Sequence, residues 1–422
     1  MTNQLSTLAA ARSAGHPTGI YSVCSAHPLV IEAAMRQAID DGTPLLIEAT
    51  SNQVDQFGGY TGMRPADFRR FVLAIAQRVG LAEDRILLGG DHLGPNPWRE
   101  RPAQEAMRLA EELLASYAAA GFVKLHLDAS MSCGGDPPLL DDAVVAERAA
   151  RLCAAAEAEA GGNRPVYVIG TEVPVPGGAT EALAHVEVTS PQAARHTLEV
   201  HRAAFLAAGL SDAWPRVIAL VVQPGVEFDH TRVVDYEPTA ARELSSVLDG
   251  QSQFVFEAHS TDYQRPEALA QLVRDGFAIL KVGPGLTFAL REALHALSAI
   301  EAVLVPVAER ADLPAVVQRV MTHKPAQWSR YYHGDASDQA LLREFSYSDR
   351  MRYYWNDPSI EQALDQLFEN LAGVEIPENV LSQFMPQQYR AVRAGRMRSD
   401  ARSLVLEGVR NALRPYADAC EA

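Results

Sequence analysis

Cysteine is scarce in this chain. Four occur in 422 residues, Cys24, Cys133, Cys153 and Cys420, and no two form a CxxC pair. That argues against a disulfide framework or a thiolate-type zinc site, and it predicts reduced thiols in a cytoplasmic protein. No apolar run approaches the ~18–20 residues of a membrane span, so no membrane association is expected. Met1–Gly15 lacks a basic stretch leading into an apolar core, so no signal peptide is expected. Basic residues are outnumbered, 37 Lys and Arg against 53 Asp and Glu, for a formal net charge of −16. A field of that sign argues against nucleic acid as a partner. It leaves room for a small phosphorylated metabolite, which needs only local N–H groups and one or two cations. Also missing are GxxxxGK[ST], a GxGxxG following a strand, and GxSxG. A P-loop kinase, a Rossmann nucleotide site and a hydrolase nucleophile elbow are thereby set aside.

What the chain has is a series of short apolar runs that end in polar, chemically useful residues. Eight occur: Gly19–Cys24, Leu45–Thr50, Ile86–Gly90, Val123–Asp128, Val166–Gly170, Val217–Gln223, Phe254–His259 and Ala278–Gly283. The stretches between them read as helices. In Pro102–Ala119, Met107, Ala110, Leu114 and Tyr117 recur at helical spacing and form one apolar stripe. Buried strands alternating with amphipathic helices predict a parallel α/β protein. Eight strands predict a TIM (β/α)8 barrel with its site at the C-terminal strand ends. From about Ile300 the alternation stops and aromatics cluster, among them Trp328, Tyr331, Tyr332, Tyr347, Tyr353, Tyr354 and Trp355. The expected organisation is therefore a barrel over 1–300, carrying the site, and a helical, tyrosine-rich extension over 301–422. The aromatics read mainly as packing. Arg350, Arg352 or a tyrosine reaching the site mouth is the functional alternative.

Asp91-His92, at the end of an apolar run and just before Gly94-Pro95, is the sharpest motif. An imidazole there can ligate a divalent metal while the adjacent carboxylate moves a proton. Strand side chains alternate faces, so Glu257 and His259 point one way. Polar groups on an inward face need partners, and a metal supplies one, which makes His259 a predicted ligand. Glu172 and Gln223 each end or follow a strand and are further predicted ligands, with Glu227 a little beyond. Lys124, His126 and Asp128 share one face of their run, as do Glu48 and Thr50. Lys281 ends the eighth run, and barrels often bind phosphate with the loops after strands seven and eight. Gly283 and Gly285 are therefore predicted to offer N–H groups to phosphate, helped by Ser260 and Thr287. Glu48, Lys124, Lys281 and Arg350 complete the predicted substrate contacts. Mixed imidazole and oxygen ligands suit Zn²⁺ first and Mn²⁺ second.

Several strings carry a resemblance: GIYSVCSAHP, IEATSNQVDQFGGYTGM, GGDHLGPNPW, KLHLDASM, GTEVPVPGG, FEAHSTDYQ, KVGPGLTFALREA and FSYSDRMRYYW. Across nearly the whole chain they resemble the accessory-subunit family of class II tagatose-bisphosphate aldolase. The resemblance implies a barrel related to class II aldolases, which use a divalent metal and handle ketose phosphates. It implies proton transfer at Asp91 and metal binding at His92 and His259. The sixth-strand histidine ligand of the catalytic aldolases appears here as Gln223, a poorer donor. Some members are labelled non-catalytic subunits and some tagatose-6-phosphate kinases. Others resemble epimerases that interconvert D-tagatose 6-phosphate and D-fructose 6-phosphate at C4. The kinase label finds no motif in this chain. The leading expectation is a metal-dependent ketose-6-phosphate 4-epimerase, with Asp91 and one of Glu172 or Asp128 as the acid/base pair. The alternative is a stabilising subunit of a class II aldolase catalytic partner. A third reading is an epimerase of a non-phosphorylated ketose or uronate. A homo-oligomer is expected, a symmetric dimer being the commonest form.

Overall fold

A computed structural model describes residues 4–162, 164–171 and 186–421. The eight apolar runs form eight parallel strands: β1 Ile20–Val23, β2 Leu45–Thr50, β3 Ile86–Leu93, β4 Lys124–Leu127, β5 Val166–Ile169, β6 Val217–Val222, β7 Val255–Ala258 and β8 Phe277–Val282. They close into a barrel in the order β1-β8-β7-β6-β5-β4-β3-β2. β3 is longer than its apolar run and carries Asp91 and His92 within it. Thr50 is paired with Asp91 across β2 and β3, and Leu93 with Leu127 across β3 and β4. A small antiparallel hairpin, Glu227–Phe228 against Val233–Val234, follows β6 in the chain and lies outside the barrel sheet.

The barrel interior divides by chemistry. Toward the N-terminal strand ends, Ile20, Leu46, Val166, Ile218 and Val255 form one apolar cluster with Leu5 and Leu8. The N-terminal segment thus plugs that end, with each buried leucine contributing about 1.5–3 kcal/mol. Toward the C-terminal ends the inward residues are charged.

The region after the helix Pro284–Leu304 is helical, and it wraps back onto the barrel. The last helix, Ala401–Glu421, packs on the helices Pro28–Asp41, Pro266–Arg274 and Pro284–Leu304. Its Cys420 carbonyl accepts from Gly19 N–H at 3.0 Å, and its Tyr416 hydroxyl donates to the Thr261 carbonyl at 2.6 Å. Position 300, the boundary expected from the loss of alternation, falls inside the helix Pro284–Leu304. Among the described residues no helix is long and apolar enough to cross a membrane.

Gly94 shows how tightly β3 and β4 meet at the site. A Cβ there would lie 1.6 Å from the Asp128 carbonyl oxygen. Backbone cannot give way as a flexible side chain can. Gly94→Ala is therefore expected to destabilise the protein by about 3 kcal/mol or more, seen as a lowered denaturation midpoint. A wild-type midpoint would show that the two strand ends can separate freely.

Candidate active site and metal centre

The deeper polar layer is a closed ionic group. Lys124, with no exposed surface, places Nζ 2.6 Å from Glu48 Oε1 and 2.7 Å from Glu257 Oε2. Glu48 Oε2 accepts from Ser22 Oγ at 2.8 Å and also holds Lys281. Lys281 reaches upward to Asp91 Oδ1 at 3.0 Å. Alternation along β2, β4 and β7 sends these residues inward, as the sequence indicates. Depth is what the sequence does not give. Glu48 and Lys124, expected to contact substrate, are consumed by one another beneath the cavity.

Above that layer sit three imidazoles and two aspartates. His126 Nδ1 is 3.0 Å from Asp91 Oδ1, and His259 Nε2 is 2.9 Å from Glu257 Oε1. His92 Nδ1 is 2.9 Å from Asp128 Oδ2, which is the carboxylate–imidazole arrangement that orients metal-binding histidines. The His92 ring lies 4.8 Å from that of His259 and 5.2 Å from that of His126. His92 and Ser260 both adopt positive φ, 47° and 53°. Such backbone strain in non-glycine residues collects at functional sites. Burial opposes ionisation of Asp91. The His92 charge, the His126 hydrogen bond and the His259 charge outweigh it and hold the carboxyl well below its usual range. Burial likewise disfavours a charged His92, but Asp91 and Asp128 push it up to about 9. Burial pushes the Cys24 thiol up to about 12, so it stays neutral.

One ligand atom from each of Asp91, His126, Glu257 and His259 lies within 4.8 Å of the others, which is the span of one coordination sphere. His126 Nε2 is buried with no hydrogen-bond partner. His126 Nδ1 meets both Asp91 Oδ1, at 3.0 Å, and the His92 backbone N–H, which donates to it at 3.2 Å, so Nε2 is the ring nitrogen left facing the group. These residues fit a divalent cation. A second group, Cys24, Glu48 and Asp91, shares Asp91, but its thiol is neutral and both Glu48 oxygens are held by Lys124, Lys281 and Ser22, whereas Glu257 gives one oxygen to Lys124 and turns the other toward His259. Of the ligands expected from sequence, His259 belongs to the four-residue group and His92 borders it. Gln223 does not join: its Oε1 accepts from Gly225 and Val226 N–H at 2.8 and 2.9 Å and shapes the loop after β6. Glu172 lies outside the described residues. His126 and Glu257, which strand alternation places on the inward face, join His259 and Asp91 in the group.

The cavity over this group is lined by Asp91, His92, His259, Ser260, Asp262 and Lys281 from the barrel, and by Tyr60, Arg352 and Tyr353 above. Asp128 is not in the lining. It is 1% exposed and bound to His92 and Ser130. Gly283 and Gly285 do not offer free N–H groups. Both donate to Asp262 Oδ1, at 2.9 and 2.7 Å. A carboxylate of the chain itself thus takes the anion position at the N-terminus of the helix Pro284–Leu304. Thr287 Oγ1 donates to the Pro284 carbonyl at 3.1 Å. Arg350 turns away from the cavity. Its guanidinium stacks 3.4 Å from the centre of the Tyr331 ring and donates to the Gln327 carbonyl. Arg352, two residues on, is the arginine that reaches the mouth.

A family model described as D-tagatose-1,6-bisphosphate aldolase subunit GatZ/KbaZ-like matches residues 5–421. The chain is similar to a protein of Sinorhizobium meliloti 1021 described as a "probable tagatose 6 phosphate kinase". The two share 54% identity at a TM-score of 0.90, over 95% of this chain and 100% of that one. The fructuronate-tagaturonate epimerase UxaE of Cohnella laeviribosi is 14% identical at a TM-score of 0.47, over 95% of this chain and 81% of its own. The YdjI aldolase of Escherichia coli K12 is 11% identical at 0.44, over 87% and 97%. These last two likenesses are too remote to bear on activity.

Proposed function

The chain belongs to the D-tagatose-1,6-bisphosphate aldolase subunit GatZ/KbaZ-like family, and from that premise we propose that it is a metal-dependent ketose-6-phosphate 4-epimerase interconverting D-tagatose 6-phosphate and D-fructose 6-phosphate. The observation that carries this reading is the buried imidazole–carboxylate group with its unpartnered His126 Nε2. Each buried ionisable group costs several kcal/mol in desolvation, and a purely stabilising subunit has no use for such a set at an open barrel end.

Inversion at C4 of a 2-ketose is a particular chemical problem. The C4 proton is not alpha to the carbonyl, so deprotonation there is not available. Cleavage of the C3–C4 bond is. A base takes the C4 hydroxyl proton, the oxygen lone pair becomes the aldehyde C=O, and the C3–C4 electron pair moves into the enediolate spanning C2 and C3. The fragments are glyceraldehyde 3-phosphate and the enediolate of dihydroxyacetone. Rotation of the aldehyde exposes its other face, C3 re-adds, and the proton returns to the C4 oxygen. His126, Glu257 and His259, with Asp91 and His92 beside them, would hold a divalent cation, which would supply Lewis-acid stabilisation of charge developing on the sugar's carbonyl oxygen. Asp91 is the proton acceptor: it is ionised, it lines the cavity, and Lys281 and His126 fix its orientation. Asp128 holds the His92 ring. The second proton-transfer role is that expected of Glu172 or Asp128; Asp128 is buried and bound to His92 and Ser130, and Glu172 lies outside the described residues.

The test is a coupled assay for D-fructose 6-phosphate formed from D-tagatose 6-phosphate by pure protein, with and without chelator. Product that disappears on chelation and returns with Zn²⁺ or Mn²⁺ supports the reading. No turnover by metal-loaded, folded protein contradicts it. The family's description as an aldolase subunit favours the second reading in that event: an accessory chain that co-purifies with a class II aldolase and raises the activity of its partner.

A further inference from the structure

Phosphate recognition in this fold usually uses the helix N-terminus after strand eight. Here that position is filled. Asp262, from the loop after β7, accepts both N–H bonds there, and a Cβ at Gly285 would already lie 3.0 Å from its Oδ1. A phosphate dianion entering that corner would meet a carboxylate instead of free N–H donors. The opposite wall of the cavity has the other sign. Asp349 turns at φ 42° into the short helix Arg350–Tyr353, which delivers Arg352 to the mouth. The Arg352 guanidinium donates to the Ser348 and Asp349 carbonyls and, at 3.1 Å, to the Tyr353 hydroxyl. Among the described residues no carboxylate pairs with it. The adjacent Asp349 side chain faces Arg291 instead, at 3.7 Å. Tyr60 stands beside it, ring to ring with Tyr353 at 4.8 Å, and Asn356 ties the two segments by donating to the Tyr60 carbonyl at 2.8 Å. The result is a half-buried cation with no carboxylate at ion-pair distance among the described residues, although Asp349 and Asp262 lie near enough to feel its charge, set beside the Tyr353 hydroxyl and the Tyr60 ring in the wall of the cavity that holds Asp91 and His259.

We propose that the anionic end of the substrate, a phosphate monoester, is bound by Arg352 with Tyr60 and Tyr353, and that Asp262 excludes it from the helix N-terminus after β8. This rests on the epimerase reading for the identity of the sugar, but not for the location of the anion. The C-terminal extension then has a defined task. It supplies the charge that selects phosphorylated over neutral ketoses, so the barrel alone is an incomplete site.

Calorimetric titration tests this without requiring turnover. D-tagatose 6-phosphate and D-tagatose are titrated into metal-loaded wild type, Arg352→Gln and Arg352→Lys. Wild type is expected to prefer the phosphate ester. Arg352→Gln is expected to weaken the ester by about 30-fold, the range of a charge-assisted hydrogen-bonded contact, while neutral tagatose changes by less than about 3-fold. Arg352→Lys is expected to recover part of the loss, since it keeps the charge but not the fork. Equal weakening of both sugars would mean a structural role only and would overturn the proposal. So would unchanged ester affinity in Arg352→Gln, or a wild type that does not prefer the ester. Turnover on the same samples separates the two ideas. Arg352-dependent binding with no turnover removes the epimerase reading and leaves the anion site. Turnover with an unchanged KM in Arg352→Gln does the reverse.

Discussion

Asp91→Asn is expected to lower turnover of D-tagatose 6-phosphate by about 10³-fold, within the usual worth of a positioned proton-transfer group. Asparagine keeps the shape and an acceptor oxygen for Lys281 and His126, which lie 3.0 Å from the aspartate. It cannot take a proton from the C4 hydroxyl. The substitution therefore separates chemistry from packing better than alanine would. kcat should fall, with KM moved far less, because the lost interaction belongs to the transition state. Metal content of the purified variant is the necessary companion measurement, since Asp91 is also one of the four residues gathered around the proposed cation. Retained metal with lost turnover supports the proton-transfer role. Near-normal kcat with metal bound would assign the proton to another group.

The largest expected effect on stability comes from the layer beneath. Lys124 is fully buried between Glu48 and Glu257. Lys124→Met removes the cation that compensates two carboxylates in a space without water. Breaking one partner from a buried ionic group typically costs about 3–5 kcal/mol. Chemical denaturation should show a loss of that size. The double variant Glu48→Gln with Lys124→Met should lose less than the two single losses added, because removing the second charge relieves what the first exposed. Strict additivity, or a single variant as stable as wild type, would mean that Lys281 alone satisfies both carboxylates. Activity should also fall, since the same network orients Asp91 through Lys281.

Much of this arrangement is legible in the sequence, for reasons that differ by residue. A buried parallel strand is a nearly continuous apolar run, so all eight strands are visible, and their number predicts closure. The face of each strand is visible too. Lys124, His126 and Asp128 alternate, as do Glu257 and His259, and all five point into the barrel. Depth along the strand is not visible, and this is why Glu48 and Lys124 read as substrate contacts when they pair below the cavity. The end of β3 is hidden for a related reason. Asp91 and His92 look like a stop after an apolar run, yet β3 runs on through them: Asp91 pairs with Thr50, the register shifts across His92, and Leu93 pairs with Leu127. Contacts between distant segments are the least legible. Nothing local to Gly283 or Gly285 announces that Asp262 occupies their N–H groups. Nothing local to Arg350 and Arg352 says which one turns inward, since a positive φ at Asp349 decides it. Gln223 ends its run as a ligand would, but two N–H groups of its own loop claim its oxygen.

The most direct measurement of the central claim uses D-tagatose 6-phosphate carrying deuterium at C4, incubated with metal-loaded protein alone and followed by NMR. Inversion through C3–C4 cleavage never breaks the C4–H bond. The account therefore predicts D-fructose 6-phosphate that retains its deuterium at C4, with no label appearing in water. Product that has lost the label would contradict the cleavage route, and no product at all from folded, metal-bound protein would contradict the epimerase itself.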